Sequence, residues 1–163
     1  MIGKTGVPTL EMVKNKFPKK EILVRPKAII ECYQEIPCNP CETSCPFNAI
    51  HIGSDINKIP TVDFDKCTGC GICAKACPGL AIMIAMIKNG KAYFKIPYEL
   101  LPLPIVGERW YGVNRSGEVL DKLCLIENVH VNKDKTVIVT VSIEQPYLYE
   151  FITIRSKAWI RKI

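Results

Sequence analysis

The chain has 163 residues, 48% hydrophobic and 23% charged, with a net charge of +6 and a mean hydropathy of +0.11. That balance predicts one ordinary domain or two small ones with enough apolar side chain to pack, and it excludes disorder, collagen and low complexity. No apolar run approaches the roughly 18 residues of a membrane helix, and the basic start has no signal-peptide core, so the expectation is a cytoplasmic protein with no membrane span. In that reducing setting nine cysteines point to metal binding or redox chemistry rather than disulfides.

In chain order, residues 1–26 form a basic arm with six Lys/Arg against two Asp/Glu. Thr9 to Phe17, between Pro8 and Pro18, predicts a short helix with Thr9 as cap. The arm is either a solvated tail or a strip laid along a partner subunit. Residues 27–90 hold eight of the nine cysteines and are slightly acidic, five Lys/Arg against six Asp/Glu. Because the basic charge lies outside the cysteine region, the pattern argues against a nucleic-acid finger. Lys27 to Cys32 predicts a first strand. Cys32, Cys38, Cys41 and Cys45-Pro46 follow at C-x₅-C-x₂-C-x₃-C-P spacing. Ala49 to Ile52 and Thr61 to Phe64 predict an antiparallel pair, in which His51 reads as an exposed polar position.

Cys67, Cys70, Cys73 and Cys77-Pro78 then form a full C-x₂-C-x₂-C-x₃-C-P run. Three cysteines at three-residue steps fit the corners of a cubane iron–sulfur cluster far better than a tetrahedral zinc site. Gly69 and Gly71 let the backbone pass close to the inorganic core. The helix begun near Cys70 should end at Cys77, since proline disfavours helical geometry in the residue before it. A shift of 32 residues lays Cys38, Cys41 and Cys45-Pro46 on Cys70, Cys73 and Cys77-Pro78, and Ala49-Ile50 on Ala81-Ile82. Such a repeat predicts two pseudosymmetric halves and two 4Fe-4S clusters. With eight thiolates set against two oxidised cores, the chain's net charge falls to about +2.

Over residues 27–90 the chain resembles the dicluster bacterial-type ferredoxins. The resemblance implies that the last cysteine of each run serves the other cluster: Cys67, Cys70, Cys73 and Cys45 hold one, while Cys38, Cys41 and Cys77 hold part of the other. The shift expects a cysteine at position 35, where the sequence has Glu35. Either Cys32 reaches back through the longer loop, or the cluster has three irons, or Glu35 supplies an oxygen ligand. Cys32 is favoured because these clusters prefer thiolate. Ala81 to Ile87 predicts a closing strand. All expected ligands lie between Cys32 and Cys77, so residues 27–90 read as a self-contained α+β module that needs its clusters to fold.

After the proline-punctuated stretch Ile96 to Ile105, strands are expected near Arg109 to Val113, Glu118 to Val131, Thr136 to Ile143 and Tyr149 to Ile154. Residues 91–163 thus predict a small antiparallel β domain, an SH3-like barrel or a sandwich. Cys124 reads as a small buried hydrophobe and His130 as an isolated strand residue without a cysteine nearby. No nucleotide loop, Ser/His/Asp set or carboxylate pair occurs in this region, so docking is expected rather than catalysis. Glu31 to Pro46, the Cys-Thr-Gly-Cys-Gly-Ile-Cys run and Leu101-Pro-Leu-Pro together resemble the small iron–sulfur subunits of multisubunit flavin-dependent amine and amino-acid dehydrogenases, of the proline, hydroxyproline and sarcosine type. That resemblance implies a non-catalytic electron-transfer subunit with flavoprotein partners; a freestanding ferredoxin-type carrier is the alternative.

Overall fold

The arm folds onto the rest of the chain. In the computed structural model, which describes residues 2–157, helix α1 spans Leu10–Lys14 and the Thr9 hydroxyl caps it, accepting from Met12 N at 3.3 Å. Val13 and Phe17, one helical turn apart, are buried together with Leu23 from the 3-10 turn Ile22–Val24. The arm is not a solvated tail. This apolar stripe is covered by the chain's own larger core.

Nine strands follow among the described residues: β1 (Lys27–Ile30), β2 (Ile50–His51), β3 (Thr61–Val62), β4 (Ile82–Lys88), β5 (Lys91–Pro97), β6 (Arg109–Val113), β7 (Val119–Val131), β8 (Val137–Glu144) and β9 (Thr153–Arg155). β2 and β3 form their own antiparallel pair, and the others make one seven-stranded sheet in the order β1-β4-β5-β8-β7-β6-β9. Two short helices, α2 (Pro40–Thr43) and α3 (Ile72–Ala76), lie in the cysteine runs. The α+β expectation agrees with this. The SH3-like barrel is not confirmed: among the described residues β6 to β9 belong to the same sheet as β1, β4 and β5, with β1 and β9 at its ends. The last expected strand is also shorter: the chain first makes a 3-10 turn at Gln145–Tyr149, with Pro146 in its first turn, and only then β9.

The three-part division expected from the sequence meets a sheet that crosses residue 90. Asn89-Gly90 is a tight turn with φ of 51° and 73°, and β4 pairs with β5 from Ile84↔Lys95 to Lys88↔Lys91. The physical reason is that β1 and β4 are buried on both faces. On one face Ala28, Ile30, Ile82 and Ile84 pack with the cysteine region; on the other Ile29, Met83 and Ala85 join Phe94, Val141 and Phe151 in the larger core. Side chains alternate across a strand, so a single continuous apolar run serves two cores at once.

Cys124 on β7 is fully buried in the larger core, and its Sγ lies 3.0 Å from where a Cβ on Gly112 would stand. Cys124→Ala should leave the iron content unchanged and lower stability by on the order of 1 kcal/mol through lost packing, measurable by denaturant unfolding. Loss of a whole cluster in that variant would overturn the separation of the two cores.

Candidate metal centre

The 32-residue repeat is built into the backbone. The pair Ile30↔Ile82 of β1 and β4 recurs, displaced by that repeat, as Val62↔Ile50 of β3 and β2, and Ile29↔Met83 recurs as Thr61↔His51. After each run the chain passes through a left-handed residue that is not glycine, Asn48 (φ 48°) and Leu80 (φ 52°). The next amide then points back at the run's last sulfur: Ala49 N donates to Cys45 Sγ, and Ala81 N to Cys77 Sγ, both at 3.4 Å. A third amide, Ala28 N, donates to Cys67 Sγ at 3.3 Å. Amide hydrogen bonds to sulfur stabilise thiolate charge, which is what an iron–sulfur ligand carries.

The cysteines sort into two groups of four. Burial pushes the Cys73 thiol up to about 12, with Cys67, Cys70 and Cys45 adding their repulsion. Burial likewise pushes Cys41 up to about 11, where Cys77 and Cys38 are its thiol neighbours. Cys32 is raised by burial, opposed by the Lys16 ammonium and assisted by Cys77 and Cys38. Thus Cys32, Cys38, Cys41 and Cys77 stand together, and Cys45, Cys67, Cys70 and Cys73 stand together. The last cysteine of each run has crossed to the other's group. The second group lines one cavity with apolar walls that include Ala28, Ile50 and Ile84. Among the described residues no three His, Cys, Asp or Glu side chains close around a single-ion point. A lone zinc would need its thiolates at about 2.3 Å from one centre, whereas a cubane spreads them over its corners. Glu35 instead lies at the surface in an ion pair with Lys58 at 3.0 Å.

Around these groups the sequence reading missed several polar anchors. Lys27 is buried, and its ammonium donates to the carbonyls of Phe64 (2.6 Å) and Cys67 (2.7 Å). Lys16 from the arm donates to the Cys32 carbonyl at 2.9 Å. Each run's first cysteine therefore has an ammonium bound to its own backbone, a positive charge set beside a negative cluster. Glu31 forms a buried pair with Arg115, which also donates to the Tyr149 carbonyl at 2.6 Å, while the Tyr33 hydroxyl donates to Glu31 at 3.0 Å. The turn after β6 is thereby clamped to the loop that carries Cys32. A lysine opening an otherwise apolar strand, Lys27-Ala-Ile-Ile, was the readable signal for the first of these; a contact between residues 31 and 115 leaves no local one. Gly69 (φ 69°) answers to packing as well as to the core: a Cβ there would stand 2.5 Å from the Pro26 carbonyl oxygen. His51 is exposed, as expected. His130 is not isolated; it lines a groove with Cys70.

A family model described as a 4Fe-4S dicluster domain matches residues 36–81. The chain carries a 4Fe-4S dicluster domain. That domain accounts for two clusters and for seven of the nine cysteines, with Cys32 just ahead of the matched stretch and Cys124 far beyond it. Relatives share the same region. The ferredoxin-type protein NapF of Haemophilus influenzae is 38% identical over 58 residues, covering 34% of this chain and 33% of its own length. A sulfite dehydrogenase subunit of Allochromatium vinosum is 42% identical over 62 residues, 38% of this chain and 24% of that one. A selenate reductase subunit of Mesobacillus selenatarsenatis is 35% identical over 71 residues, 44% and 22% respectively. The similarity thus spans a third or less of these relatives. No solved structure matches the chain. Among the described residues no helix is long and apolar enough to cross a membrane.

Proposed function

We propose that this chain is the electron-transfer subunit of a multisubunit oxidoreductase. It passes single electrons from a flavoprotein subunit through two 4Fe-4S clusters to an acceptor and performs no substrate chemistry itself. Cys32, Cys38, Cys41 and Cys77 hold cluster 1; Cys67, Cys70, Cys73 and Cys45 hold cluster 2. The observation that carries this reading is the sorting of eight cysteines into two crossed groups of four. Subunit status is supported by relatives whose names make them subunits of a sulfite dehydrogenase and a selenate reductase. A flavoprotein donor of the amine or amino-acid dehydrogenase type is supported by the motif resemblance around Glu31 to Pro46. A cytoplasmic location suits nine unpaired thiols.

Purification from the source cells under anaerobic conditions tests the reading. The chain should co-elute with a flavin-containing partner and carry about eight iron per copy, on the composition of two cubanes. Elution alone, fully loaded, would favour the freestanding carrier instead. Cys32→Ser should bring the iron below about eight by damaging cluster 1 only, with a three-iron EPR signal or loss of that cluster. Unchanged iron and unchanged spectra would remove Cys32 from the ligand set.

A further inference from the structure

The sheet face that bears the clusters is only half covered. Over β1 and β4 it is roofed by the cysteine region, and over β5, β8 and β7 it lies open as a groove whose wall is Cys70, Gly71, Ile72 and Lys75. The floor follows the strand register: Lys95, Thr140 and Asn128 form one row across three strands, with Ile138 and His130 in the next. Cys70 is exposed, alone among the nine cysteines. Ile72 and Phe47 line a cavity with it and are 43% and 45% exposed.

The charge of this groove is one-sided. No acidic side chain among the described residues lines it. Among the described residues nothing pairs with the Lys95 ammonium, nor with Lys133 and Lys135 on the adjoining β7–β8 turn. Asp134 in the same turn is the nearby acid, and Lys75 neutralises it at 3.0 Å. Exposed Ile72 beside the unpaired Lys95, with Lys133 and Lys135 on the adjoining turn, has the layout of a protein interface with a charged rim. The groove is shallow and open along the sheet, a form that suits the surface of another protein.

We propose that an acidic electron-carrier protein docks in this groove, over Cys70, and exchanges electrons with cluster 2 there. The inference rests on the electron-transfer reading above and adds to it a port and the charge of the partner. Steering by opposite charge raises the encounter rate and makes it fall with ionic strength.

Two protein oxidants of opposite charge serve as probes: plastocyanin, an acidic copper protein, and cytochrome c, a basic haem protein. In each case one electron leaves the reduced cluster and reduces Cu(II) to Cu(I), or haem Fe(III) to Fe(II), with no proton moved. The full chain with both clusters, reduced by dithionite and freed of excess, is mixed with either oxidant in a stopped-flow instrument. At low salt, Lys95→Glu should slow the reaction with plastocyanin by about tenfold, within the range ascribed to steering, and flatten its salt dependence. The reaction with cytochrome c should be unchanged or faster. Lys133→Glu, on an exposed turn, should act in the same direction and decides the matter if Lys95→Glu loses iron. An unchanged plastocyanin rate in an iron-replete variant overturns the docking site. Failure of the wild-type clusters to cycle with dithionite and either oxidant would instead remove the electron-transfer reading itself.

Discussion

A chain ending at Lys88 should fail to accumulate as a cluster-loaded protein, although every proposed ligand lies before that point. Removing the rest strips β4 of its whole pairing with β5, from Ile84↔Lys95 onward. It also uncovers the second face of the domain: Ile29 and Met83, with Val13, Phe17 and Leu23 of the arm, lose Phe94, Val141 and Phe151. Each such side chain contributes about 1.5–3 kcal/mol when fully buried. Five of them amount to the stability of a typical small domain, about 5–15 kcal/mol. The clamp between Glu31 and Arg115, which steadies the loop bearing Cys32, disappears at the same time. Expression of residues 1–88 should therefore give aggregated or iron-poor material by iron assay and size-exclusion chromatography. Recovery of a monodisperse product with about eight iron per chain would show that the clusters alone can hold the fold.

The cysteine spacing pointed to two 4Fe-4S clusters because the repeat is local, a three-residue step and a following proline in each run. The strands were legible for a related reason, since β1, β4, β6, β7 and β8 all appear as apolar or alternating runs near their observed bounds. What the sequence concealed was which of those runs share a sheet. Ala81 to Ile87 is continuous in its apolarity, and that is equally the signature of a closing strand with one core and of a central strand between two. Asn89-Gly90 was visible, and as a two-residue turn flanked by Lys91-Ala-Tyr-Phe-Lys-Ile it signals a hairpin rather than a boundary. The arm misled through composition. Its lysines suggested a solvated tail, yet Val13, Phe17 and Leu23 decide where it lies, since a few fully buried side chains outweigh several exposed charges. The pairing of Glu31 with Arg115 spans 84 residues and has no periodic trace.

Cys77→Ser should destroy cluster 1 and spare cluster 2, even though Cys77 belongs to the run that supplies three of cluster 2's ligands. Its thiol neighbours are Cys32 and Cys41 of the first run, while Cys73, one helix away in sequence, has Cys45 as its partner from across the repeat. The backbone enforces the exchange: α3 ends at Cys77 with extended geometry (φ −71°, ψ 113°), so the sulfur leaves the helix that holds Cys73. About four iron should remain per chain, and because bound clusters contribute folding energy the variant should also unfold at lower denaturant. Double variants settle which four remain without any spectral assignment. If Cys77 and Cys38 serve one cluster, Cys77→Ser with Cys38→Ser should still retain about four iron, while Cys77→Ser with Cys73→Ser should retain almost none. If each run ligated its own cluster, the two results would be reversed, since Cys77 and Cys73 would then share a cluster and Cys77 and Cys38 would not. The reversed result would break the crossed assignment of both clusters together.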